Sequence, residues 1–163
     1  MGGCEMKFLE EKNEQNDLVC VIIPDGIVGN IDDFSNYDPN RIAHYTIKNQ
    51  QLLLYMTEEN RQLALQDFKS MVQAFKEQVD TCEDIEVASY AKFECNDDLT
   101  VLDFYMQQAD YRSDIFTAII ESTLVIDVLY YQLYAGNIKP CIKVRYFSKD
   151  SHTLYETLQF DHT

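Results

Sequence analysis

Two stretches of helical periodicity, each preceded by paired β-rich runs, leave few folds open to this chain. The first is the plainer. Thr57 stands where a hydroxyl can cap a helix, Glu58 and Glu59 lie at its positive end, and Leu65, Phe68, Val72, Phe75 and Val79 recur at alternating steps of three and four. That stripe must face a core. The second helix runs from Ser113, its cap, to Ala135, and Gly136-Asn137 with Pro140 beyond supplies the stop. Its core-forming residues, among them Phe116, Ile119, Leu124, Ile126, Tyr130 and Leu133, cover more than one stripe. Such a helix is central to the fold or lies in an oligomer interface.

The β-rich runs come mostly as hairpins. Leu18 to Ile23 is a continuous apolar run closed by Pro24-Asp25-Gly26, a short strand covered on both faces. Ile42 to Lys48 and Gln51 to Met56 flank Asn49-Gln50, the signal for a tight turn. Ile85 to Glu94 alternates, with Val87, Ala91 and Phe93 on one face and Lys92 and Glu94 on the other. Asn96-Asp97-Asp98 then turns the chain into Leu99 to Met106. Cys141 to Phe147 and Thr153 to Phe160 make a third hairpin. The expected class is α+β: a mainly antiparallel sheet built from hairpins, with two helices packed on one face. Leu52, Leu54, Tyr55 and Met56 align at an offset of 50 with Leu102, Phe104, Tyr105 and Met106. A ββα-ββα-ββ pseudo-repeat is one reading of that match, and chance similarity between two strand ends is the other.

The length of 163 residues suits a single acidic domain spanning 1–163, with residues 1–16 as a flexible N-terminus. Asp and Glu number 28 against 13 Lys and Arg, giving a formal charge of −15 that is spread along the chain rather than held in a tail. Nucleic-acid binding is disfavoured, because neutralising phosphates needs clustered cations. A long-range negative field favours encounter with a basic protein instead. The five cysteines form no C-x-x-C pair and no framework, which points to reduced thiols and a cytoplasmic location. No run approaches the roughly 18 uncharged apolar residues of a membrane span. Gly2 and Cys4 are placed as in a lipidated start, but Met6 occupies the position where that signal carries Ser or Thr.

Catalytic and metal signatures are missing. His44, His152 and His162 are scattered, Glu121 and Asp127 are six apart and do not share a helix face, and no phosphate-cradling or nucleophile-elbow motif occurs. The expectation is therefore a non-enzyme with no metal and no cofactor. The long aperiodic segment from Pro24 to Arg41 offers an interaction reading. Ile31, Phe34 and Tyr37 would anchor in a partner pocket while Asp25, Asp32, Asp33 and Asp38 meet basic residues around it. The same residues could equally pack the loop onto its own domain. A homodimer through the Ser113 to Ala135 helix is a further contact to test.

These readings converge on a small acidic protein-binding domain. The most concrete form is an immunity or inhibitor protein that neutralises the basic surface of a toxin or enzyme. Two alternatives stay open: a secretion-type chaperone for a client protein, and an enzyme or small-ligand binder with a pocket between sheet and helices. A deep apolar pocket holding two convergent titratable residues would favour the last.

Overall fold

The chain runs β1 (Leu18–Ile23), β2 (His44–Lys48), β3 (Gln51–Thr57), α1 (Glu58–Thr81), β4 (Tyr90–Cys95), β5 (Val101–Met106), α2 (Ile115–Tyr134), β6 (Cys141–Phe147) and β7 (Leu154–Asp161). The computed structural model describes residues 17–26, 37–82, 87–111 and 115–161, the side chains of 115 and 116 excepted. The fold is α+β, as its periodicities require. It divides into two compact units, one within Met1–Asp67 and Tyr131–Lys139, the other within Phe68–Tyr130 and Pro140–Thr163.

The first unit holds an antiparallel sheet of order β1-β3-β2. All six residues of β1 are buried, as its unbroken apolar run demands. Asn49 and Gln50 both adopt positive φ, 54° and 63°, the backbone of a type I′ turn whose twist matches the strands it joins. The Thr57 hydroxyl accepts the Asn60 N–H at 3.1 Å and caps α1. At the end of α2, Gly136 takes φ +100° and donates to the Leu133 carbonyl at 3.0 Å. The Asn137 N–H reaches the Gln132 carbonyl at 3.0 Å, which completes a Schellman closure.

The second unit holds a four-stranded sheet of order β4-β5-β6-β7. Hairpins supply its outer pairs, but β5 and β6 run parallel, with Leu102 opposite Val144 and Phe104 opposite Tyr146. The strands thus form two sheets rather than one. Each hairpin finds its next neighbour in a distant segment: β3 takes β1 antiparallel, whereas β5 takes β6 parallel because α2 carries the chain back across the sheet. Those opposite directions give the ββα pseudo-repeat no support. Leu102, Phe104 and Met106 of β5 and Ile142, Val144 and Tyr146 of β6 are buried on one face.

Both helices lie against that face, as expected. The Phe75 ring of α1 meets Tyr90 at 5.5 Å, Phe93 at 5.0 Å and Phe104 at 6.3 Å, and Phe68 stacks on Tyr130 of α2 at 5.9 Å. On β4 the simple alternation fails. A register shift between Tyr90 and Lys92 turns Tyr90 inward and leaves Ala91 exposed. Ile119 and Ile126, expected in the core, are 60% and 49% exposed, because α2 buries only the side carrying Leu124 and Val128. No helix among the described residues is long and apolar enough to cross a membrane.

Candidate functional site

A half-open hollow of about 420 Å³ lies in the second unit, between α2 and strands β5, β6 and β7. Alternation along the strands builds its floor: Phe104, Val144 and Leu158 share the face that looks toward the helix. One wall comes from Ala118, Ser122, Val125 and Ile126, successive turns of one helix face. Phe160 of the edge strand β7 is 42% exposed and forms the opposite rim.

Glu121 is the single charged residue in this lining. Its two carboxylate oxygens are each occupied by a phenol: Tyr90 donates to Oε2 at 2.7 Å, and Tyr146 donates a short bond to Oε1. Both tyrosines are fully buried strand residues, so the sheet fixes the donors and the helix presents the acceptor. Among the described residues no cation pairs with Glu121. Burial raises its carboxyl above the ordinary carboxylate value and outweighs the two hydroxyls, which pull the other way. Burial and the neighbouring carboxylate likewise raise the Tyr146 phenol far beyond its usual value.

Further tyrosines extend the network away from the hollow. Tyr111 lies 4.5 Å from the Tyr146 ring and 5.7 Å from Tyr155. The Tyr155 hydroxyl donates to the Met106 carbonyl at 3.3 Å, and burial pushes its phenol up to about 12. The Tyr146 and Tyr155 hydroxyls are therefore held neutral near pH 7, able to donate a hydrogen bond and poorly suited to act as a base.

The sequence-derived interaction loop is reached only at its ends. Asp25 is exposed. The Tyr37 ring packs edge-on against Tyr45 of β2 at 5.4 Å, and the Asp38 carboxylate accepts the Asn40 N–H at 3.0 Å. Tyr37 thus packs on its own unit, whereas the bond of Asp38 is a local turn contact that leaves the residue exposed. Ile31, Asp32, Asp33 and Phe34 lie outside the described residues, as do Gly2, Cys4 and Ser113.

The second unit carries two other polar features. A groove of about 360 Å³ between α1 and the β4–β5 turn contains Lys69, Lys76, Cys95 and Asp97, but its charges are mixed and Lys76 already binds Asp80 at 3.2 Å. On the outer sheet face Arg145 grips Asp103 through two bonds of 2.7 and 2.8 Å. No group of three or more His, Cys, Asp or Glu among the described residues could hold a metal ion.

Sequence reasoning allowed a pocket between sheet and helices only as an alternative and did not place Glu121 in it. The signal was a lone carboxylate inside the apolar stretch Thr117-Ala-Ile-Ile-Glu121-Ser-Thr-Leu-Val-Ile126, where solvation alone gives no reason for a charge. Comparisons with family models, with curated proteins and with solved structures find no match for this chain.

Proposed function

We propose that this chain works by binding, as a small acidic protein that occupies the basic surface of another protein, in the manner of an immunity or inhibitor protein. The observation that carries the reading is the hollow beside Glu121: a carboxylate set in an apolar wall with no cation opposite it among the described residues. An uncompensated, partly buried charge is unfavourable alone and becomes favourable when a partner brings the opposite charge. The overall charge of −15 supports this by steering cationic surfaces toward the molecule.

The direct test is affinity capture of the chain from its native cells, followed by calorimetry with the protein identified. A basic partner whose affinity falls steeply with salt is the expected result. Capture that yields no basic protein, or binding indifferent to salt, refutes the proposal.

A small-ligand binder is the second reading, favoured by Glu121 and its hydrogen-bond donor Tyr146 in the lining of a cavity whose volume falls within the ligand-pocket range. A metabolite that co-purifies stoichiometrically and raises the melting temperature would establish it.

A further inference from the structure

We infer that the hollow between α2 and β5–β7 is the seat for a basic side chain flanked by apolar residues on a partner protein, with Glu121 as the acceptor of the cation. This rests on the binding function proposed above and names the chemistry of its contact.

Three features of the hollow define that chemistry. A carboxylate offers about four lone-pair positions on its two oxygens. Tyr90 and Tyr146 take one on each oxygen, so each retains one for a further donor. A guanidinium or ammonium satisfies that vacancy and also the charge. The floor residues Phe104 and Val144 and the wall residue Val125 are apolar, which matches the alkyl stem of Arg or Lys. The exposed ring of Phe160 at the rim adds an aromatic group to which a cation is attracted.

The shape separates a protein segment from a small molecule. Pockets for small ligands bury most of their occupant. This hollow is half open, and its apolar surface continues outward through Ile126 and Phe160 to Ile119, one helical face beyond the wall. Exposed apolar residues around a charged centre form the rim that a flanking pair of leucine-like side chains would cover. Between Ile119 and Ile126 the hydroxyls of Ser122 and Thr123 donate back to the Ala118 and Ile119 carbonyls at 2.9 and 3.0 Å, which leaves the face less polar than its sequence suggests.

The test uses the full chain and two blocked tripeptides, acetyl-Leu-Arg-Leu-amide and acetyl-Leu-Gln-Leu-amide, titrated by NMR with methyl and carboxyl signals observed. The expected result is saturable shifts at Ala118, Val125 and Ile126, at least tenfold tighter binding of the arginine peptide, and a fall in the Glu121 carboxyl pKa on saturation. Glu121→Gln should remove the preference for arginine. Ser122→Trp, at an exposed rim position, should block both peptides and serves if the first variant folds poorly. Equal affinity for the two peptides, shifts that map elsewhere, or tighter binding of a neutral alkyl alcohol overturns the inference. So does self-association of the free chain that Ile126→Asp abolishes, since that assigns the face to a second copy. A captured basic partner indifferent to Glu121→Gln and Ser122→Trp sinks this inference and leaves the function standing. Arginine-selective seating with no basic partner in the cell sinks the function and leaves the chemistry of the hollow.

Discussion

Replacing Tyr146 by Phe isolates one hydroxyl whose value depends on the charge of its partner. The ring itself is retained, and with it the contacts to Phe104 at 5.6 Å and Tyr111 at 4.5 Å, so the loss is that of a hydrogen bond rather than of packing. A bond to an ionised carboxylate contributes about 1.5–3 kcal/mol net, and one to a neutral group about 0.5–1.5 kcal/mol. Tyr146→Phe should therefore cost about 1.5–3 kcal/mol at pH 8 and about half as much at pH 4.

Linkage gives the same sign. The folded carboxyl of Glu121 is raised above its unfolded value, so its contribution to stability is complete below the unfolded pKa and is lost as pH rises through the folded one. Removing the Tyr146 hydroxyl takes away a group that lowers this pKa, raises it further and enlarges the loss. The titratable groups facing Glu121 are Tyr90 and Tyr146, with Tyr111 and Tyr155 behind them, and burial raises the phenols of Tyr146 and Tyr155 out of this range. Urea denaturation followed by tyrosine near-ultraviolet dichroism at the two pH values measures the difference. Tyr155→Phe is the control, because its hydroxyl serves a backbone carbonyl and its loss should not vary with pH. An equal cost of Tyr146→Phe at both pH values refutes the reasoning.

Other consequences of the structure are simpler to check. Phe104 is 1% exposed and touches the rings of Phe75, Tyr90, Phe93 and Tyr146, so Phe104→Ala should cost about 3–5 kcal/mol in the same urea assay. Gly136→Ala should lower stability by about 1–2 kcal/mol through backbone strain alone, since φ is +100° and a new Cβ meets nothing within 4 Å; thermal melting reads it. Among the described thiols, iodoacetamide should label exposed Cys82 first and fully buried Cys20 last, with Cys95 slowed because burial raises its pKa; mass spectrometry of timed samples gives the order.

Local signals were legible and non-local ones were not. The Asn49-Gln50 turn, the Thr57 cap and the Gly136 stop all act within a few residues, and each is found where its chemistry requires. The stripe Val72, Phe75 and Val79 is buried for the same reason. Strand partners are different. Nothing in β5 marks it for a parallel neighbour, because that pairing is set by the crossover through α2 and by burial shared among distant segments. The shift at Tyr90 escaped for a related reason: a bulge changes which residues face inward without changing composition. Of the loop singled out for its acidic and aromatic mixture, Ile31, Asp32, Asp33 and Phe34 lie outside the described residues, and Tyr37 packs on Tyr45 while Asp38 is exposed. Glu121 showed the opposite failure. It read as an isolated carboxylate because its two donors come from strands 31 residues before and 25 residues after it.

The second helix joins two features that are each unfavourable in an isolated molecule. It carries a carboxylate into an apolar wall where, among the described residues, hydroxyls alone meet it, and it leaves Ile119 and Ile126 exposed. Stability alone does not explain the exposure, since polar residues at 119 and 126 would be better solvated, whereas Glu121 also satisfies the buried hydroxyls of Tyr90 and Tyr146. Packing does not force the exposure either, because the buried side of α2 is already supplied by Leu124 and Val128. The occupant proposed for the hollow, cationic at its centre and apolar at its flanks, would meet the carboxylate and the exposed isoleucines with complementary contacts.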